Sequence, residues 1–229
     1  MTQPATEAAS PESAMRELAE DPSSRKRFLR MMGGASAAGA FAIFLAACGD
    51  DDDEASSSGA GTTTEKRKAT SADLEIVQYA LTLEHLETDF YNAVLDSGVI
   101  KDKALGETAK MIRDNEQEHV DALTATVEQL GGKPVRPKTN FDAVLEGGQD
   151  MILQTAAVVE NLGAAAYLGQ AGRIQSKKVL AAALAIHSVE ARHAAALNTV
   201  VGKTIVPDGA LAKPASMEEV LPQVKPFLA

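Results

Sequence analysis

The chain of 229 residues has one cysteine, four histidines and few aromatic side chains, 4% of the total. A single cysteine excludes an internal disulfide. No alternating runs of Val and Ile occur, and alanine is abundant, so sheet is disfavoured and helices are expected. Basic residues are outnumbered, 22 Lys and Arg against 32 Asp and Glu, for a net charge of −10. No basic patch carries interleaved aromatics, so nucleic acid is not an expected partner.

With so few histidines, their positions carry information. Two of them close Glu-x-x-His motifs, Glu116 to His119 and Glu190 to His193. Each motif trails a lone glutamate, Glu84 or Glu160, and each lone glutamate is followed two helical turns later by a tyrosine, Tyr91 or Tyr167. The order Glu, Tyr, Glu-x-x-His therefore occurs twice. One such motif arises readily by chance at this composition, but a duplicated one on apolar faces does not.

Residues three apart on a helix share a face, so the Glu and His of one motif can reach the same metal ion. A tyrosine two turns from a glutamate lies on the same stripe, where its hydroxyl can meet a carboxylate of a neighbouring helix. The surrounding residues follow the helical period in all four segments, for example Val77, Leu81, Glu84, Tyr91 and Leu95 in the first. Carboxylates on apolar stripes must be desolvated, at a cost of several kcal/mol each unless paired or bound to a cation. Four carboxylates balance two divalent ions, and two neutral imidazoles complete the shells. This is the ligand set of di-iron and di-manganese carboxylate bundles. Glu87, one turn from Glu84, reads as an extra ligand, a neighbour of the ligands or a solvated charge. His187, one turn before Glu190, reads as a hydrogen-bonded core residue.

The stretches LEHLETDFYNAVLDSG (83–98), NEQEHVDAL (115–123), VVENLGAAAYLGQA (158–171) and SVEARHAAALNTVVG (188–202) resemble the four metal-bearing helices of the ferritin-like superfamily. The resemblance is to exported single-domain ferritin-like proteins related to desiccation-associated proteins. Bacterioferritins and rubrerythrins have the same Glu with Tyr two turns later on the first helix, which favours Glu84 over Glu87 as ligand. The resemblance implies Glu84 and Glu160 as terminal ligands, Glu116 and Glu190 as bridging ligands, and His119 and His193 as nitrogen ligands. It implies two iron ions, with manganese as the alternative, and tyrosines at 91 and 167 that hydrogen-bond to ligands or carry electrons.

The expected domain runs from 70 to 229, as an all-α ferritin-like four-helix bundle. Glycines and polar clusters at 96–98, 131–132, 173–178 and 202 end the four helices. The Pro-containing stretch 131–148 is the one long crossover, and Ser216-Met217-Glu218-Glu219 starts a short C-terminal helix that packs on the bundle.

Residues 1–47 read as a signal peptide. A basic box, Arg25-Lys26-Arg27-Phe28-Leu29-Arg30, resembles a twin-arginine export signal, with Lys26 where the second arginine usually stands. An apolar run then ends in Leu45-Ala46-Ala47-Cys48, which resembles a lipobox, so Cys48 is expected to carry a lipid. Residues 48–69, acidic and rich in Ser, Gly and Thr, read as a flexible tether. The charges of residues 1–47 cancel, so the whole excess belongs to the part after the signal. The expected location is extracytoplasmic, lipid-anchored to a bacterial membrane. Two functions compete: a di-iron oxidoreductase that oxidises ferrous iron or scavenges oxygen or peroxide, and a non-catalytic metal-binding protein of envelope stress or desiccation. A hollow iron-storage shell fits poorly with a lipid anchor on every subunit, and a smaller homo-oligomer is left open.

Overall fold

The computed structural model describes residues 61–229, with side chains from residue 70 onward. The signal segment, Cys48 and the first part of the tether lie outside the described residues. Among the described residues there is no β-strand; the chain is an all-α bundle. Its elements are α1 (Gly61–Ser97), α2 (Lys103–Gln129), α3 (Asp142–Glu146), α4 (Gly148–Ala171), α5 (Lys177–Val200), α6 (Met217–Val224) and a terminal 3-10 turn, Lys225–Phe227. The four expected bundle helices are α1, α2, α4 and α5. Helix α1 starts at Gly61, so the last residues assigned to the tether are helical, and α3 is a short helix within the crossover that periodicity did not reveal.

Local chemistry sets the boundaries. Asp102 caps α2 by accepting from the Leu105 amide at 2.9 Å, and Ser176 caps α5 by accepting from the Val179 amide at 3.3 Å. A full capping box, Ser216 with Glu219, starts α6. Gly98, Gly131 and Gly202 follow α1, α2 and α5 with φ of 60°, 79° and 71°, the left-handed conformation that closes a helix and that glycine adopts without strain.

Neighbouring helices run antiparallel. Contacts between α1 and α2 pair Gln78 with Lys133 beyond the end of α2, Glu84 with His119, and Asn92 with Arg113. Between α4 and α5, Asn161 and Asn198 exchange amide hydrogen bonds at 2.9 and 3.1 Å, and Glu160 faces His193. Buried Asp73 of α1 accepts from the amides of Gln175 and Ser176, both at 2.8 Å, and so fixes the turn before α5. The crossover is tied to α1 through Asp89, which takes an ion pair from Arg136 and a hydrogen bond from Thr139 at 2.9 Å.

The tail packs on the bundle as expected. Val220 and Val224 are buried, and Phe227 stacks on Phe141, which packs edge-on against Phe90. The Ala215 amide donates to the Ala165 carbonyl at 2.9 Å. A Cβ at residue 169 would lie 1.9 Å from the Ala215 carbonyl oxygen, so this close approach of tail to α4 requires glycine.

The apolar core forms two clusters. One gathers Phe90, Tyr91, Val94, Ile112, Ile152 and Leu197; the other gathers Val77, Leu81, Leu123, Tyr167, Val179 and Ile186. Both end against the same buried layer of charged residues.

Candidate metal centre

That layer holds all six ligands expected from the sequence. Glu84, Glu116, Glu160 and Glu190 are 0% exposed, His193 3% and His119 8%. Glu84 comes from α1, Glu116 and His119 from α2, Glu160 from α4, and Glu190 and His193 from α5. The helical spacing places them there: each ligand interrupts the apolar face its helix turns to the bundle axis.

The ligand atoms fall into two groups, Glu84, Glu116, His119 and Glu190, and Glu116, Glu160, Glu190 and His193, with the atoms of each group within 4.8 Å of one another. Donors about 2.0–2.2 Å from a first-row divalent ion stand roughly that far apart. Glu116 and Glu190 belong to both groups. The His119 Nδ1 lies 2.9 Å from Glu116, 3.1 Å from Glu190 and 3.2 Å from Glu84. The His193 Nδ1 lies 2.9 Å from Glu116 and 3.3 Å from Glu160. Both rings therefore turn Nδ1 to the carboxylates.

His119 Nδ1 is within hydrogen-bond reach of Glu84 and Glu116, but much of the cluster is unpaired. Glu116 Oε1, Glu160 Oε2, both Glu190 oxygens and His193 Nδ1 are buried with no hydrogen-bond partner despite lying a few ångströms apart. Buried polar atoms are normally satisfied, and several that converge on a common point without bonding one another are arranged for a cation. Oxygen and imidazole donors suit iron, manganese and similar ions. The residues present fit metal ions.

The titration behaviour of the metal-free cluster points the same way. Burial raises Glu116 to about 7, with Glu160 adding to the rise, and burial with the neighbouring Glu116 pushes Glu190 well above the carboxylate range. Burial opposes the charge on Glu84, but His119 and Tyr167 outweigh it and hold that carboxyl below its ordinary value. Burial likewise disfavours charged imidazole, yet Glu84, Glu116 and Glu190 hold His119 well above its ordinary value. Burial disfavours charge on His193 as well, but the close carboxylates of Glu116 and Glu160 raise it to about 9. The cluster thus holds protons tightly, as crowded buried carboxylates do when protons are the cations that offset their charge.

Both tyrosines reach across to carboxylates as their spacing predicts. The Tyr91 hydroxyl of α1 donates to Glu160 of α4, and the Tyr167 hydroxyl of α4 donates to Glu84 of α1, each at 2.5 Å. Burial, together with the accepting carboxylate, pushes both phenols well above their ordinary range.

Two further residues were open in the sequence. Glu87 is 2% exposed, which excludes the solvated-charge reading; burial and the nearby Glu190 push it well above the carboxylate range. His187 is hydrogen-bonded from Nδ1 to the Ala164 carbonyl at 3.1 Å and stays outside both groups. One neighbour was missed. The Asn115 Nδ2 lies 3.1 Å from His193 Nε2; a half-turn of the amide would present its oxygen instead, which would accept the Nε2–H and leave Nδ1 free to face the carboxylates. Its position directly before Glu116 was the only signal.

Among proteins with curated descriptions, none matches the chain. The family model of the ferritin-like domain matches residues 72–203, a stretch that begins in α1 and ends just after α5 and so contains every residue of the cluster. With more than half of its length matched, this chain belongs to the ferritin-like domain family.

Proposed function

We propose that this protein is a membrane-anchored, extracytoplasmic oxidoreductase with a carboxylate-bridged pair of iron ions, manganese being the alternative. Glu84, Glu116 and His119 would hold one ion and Glu160, Glu190 and His193 the other, with Glu116 and Glu190 shared. The observation that carries this reading is the pair of buried donor groups with two glutamates in common and five ligand atoms that lack hydrogen bonds. When bound, a reduced metal pair supplies electrons to oxygen or peroxide.

The chain's own residues do the rest. Tyr91 and Tyr167 donate to the two unshared glutamates and fix which oxygen each presents to the centre. Burial excludes bulk water and large substrates. Small apolar voids lie against both tyrosines, one bounded by Val77, Leu123 and Tyr167, the other by Tyr91, Ile152 and Leu197. Such voids have room for a small neutral oxidant beside the tyrosines.

Anaerobic titration of the purified full chain with ferrous iron should saturate at two equivalents, and mixing with oxygen or peroxide should oxidise the bound iron faster than free ferrous ion. Two equivalents with no faster oxidation would leave a non-catalytic metal protein of the envelope. One tight ion would sink the dinuclear site.

The location rests on the lipobox and the acidic tether. Mass spectrometry of membrane-extracted protein should find a diacylglyceryl group on an N-terminal Cys48; protein that is soluble and retains residues 1–47 would refute the anchor.

A further inference from the structure

The register between the two halves extends to positions beyond the shared ligands. As Glu160 answers Glu84 and Tyr167 answers Tyr91, residue 163 answers Glu87, and it is glycine. A Cβ at Gly163 would lie 2.8 Å from Glu87 Oε1 and 3.2 Å from Glu190 Oε2. A side chain there would force the Glu87 carboxylate to shift and would crowd that of Glu190. The volume that a symmetric second half would fill is thus taken by an extra carboxylate of the first.

Glu87 is 2% exposed, and its Oε2 has no hydrogen-bond partner. The Lys and Arg ion pairs among the described residues all lie elsewhere. Burying a carboxylate without a partner is costly, and a cation or a proton must offset that cost. Glu87 lies outside both donor groups, but its Oε1 and the Oε2 of Glu190, a member of both, pack side by side over the bare backbone of Gly163, 2.8 and 3.2 Å from where a Cβ would stand. A lone carboxylate satisfied elsewhere would not need a helix of the opposite half to give up its side chain to make room.

We propose that Glu87 is a seventh protein ligand of the metal pair, held beside Glu190 in the space left by Gly163, and that it makes the two ions inequivalent. This rests on the two-ion reading above.

Cobalt(II) titration of the full chain, followed by calorimetry and visible absorption, tests it. The wild type should take two equivalents. Glu87→Gln keeps the shape of the side chain and should weaken one equivalent by about tenfold to a hundredfold, the loss typical of disturbing a metal's immediate surroundings, and should change the ligand-field spectrum. Gly163→Ala should reproduce that loss with Glu87 still present. The exchange Glu87→Gly/Gly163→Glu, which moves the carboxylate to the opposite helix, should recover most of it. A loss in Glu87→Gln below about tenfold overturns the seventh ligand, whatever the spectrum. Failure of Gly163→Ala to weaken binding overturns the role of the vacated space. If the wild type binds two ions and Glu116→Ala does not, an inert Glu87→Gln defeats this inference alone; a wild type that cannot bind two defeats the parent reading.

Discussion

The hairpin of α1 and α2 and the hairpin of α4 and α5 carry the same sequence of site residues but not the same surroundings. His119 is ringed by three carboxylates, whereas His193 faces two and has Asn115 at its far nitrogen. The position that answers Asn115 is Val189, so His119 has no corresponding amide from α5. Glu87 stands opposite Gly163. Duplication supplies charges that could hold a metal pair, and departures from it give the two donor groups different surroundings.

The largest effect should come from breaking what the hairpins share. Glu116→Ala and Glu190→Ala each remove a carboxylate common to both donor groups, so elemental analysis after reconstitution should find fewer than two ions per chain in either. Equal losses would support equivalent hairpins; unequal losses would rank them.

Acid should be next. A bound ion must displace the proton that His193 holds up to about 9 and that Glu116 holds up to about 7. Affinity should therefore rise with pH, by about tenfold per unit for each proton displaced, when ferrous or manganous ion is titrated between the two values. The metal-free protein should behave oppositely. Both folded-state values lie above the ordinary ones of 4.5 and 6.5, so the folded form holds more protons than the unfolded form between about 4.5 and about 9, and stability falls as pH rises through that range. Thermal melting of apo and loaded protein should diverge accordingly.

Replacing Asn115 with Leu should cost about tenfold in affinity for the ion that His193 serves and leave the other equivalent nearly unchanged. Equal weakening of both equivalents would show that the histidines act as a unit. The smallest effect on binding should be that of Tyr91→Phe and Tyr167→Phe, which keep the rings but remove the hydroxyls from Glu160 and Glu84. Stopped-flow oxidation of the double variant should be slowed more than its iron affinity is reduced; an unchanged rate would return the tyrosines to packing alone.

The convergence of the six candidate residues was legible because a carboxylate or imidazole on an apolar helical stripe has few places to go but the bundle axis, and the duplication made coincidence a poor account. Helix ends were legible from Gly98, Gly131 and Gly202. Glu87 was not decided, since Glu84 and Glu87 one turn apart fit a solvated edge as well as a buried pair; its burial against Gly163 in the folded bundle separates the two. Helix α3 and the isolated bridge between Thr139 and Leu228 are held by contacts between distant parts of the chain, and segments that short carry no period to read. Asn115 acts across the bundle on a histidine of α5, a relation that adjacency to Glu116 does not encode.

The sharing of glutamates bears on how the molecule assembles. Each donor group takes three members from one hairpin and one from the other, and each tyrosine clasps a glutamate of the opposite hairpin. A solitary hairpin is thus an incomplete chelator with an unsatisfied cluster of charge. Its partner supplies the missing donor only on docking, so metal in the surroundings favours the docked state over separated halves by mass action. On the two-ion reading, the final association of the two hairpins and the capture of the ions would be coupled events, with metal favouring correct pairing.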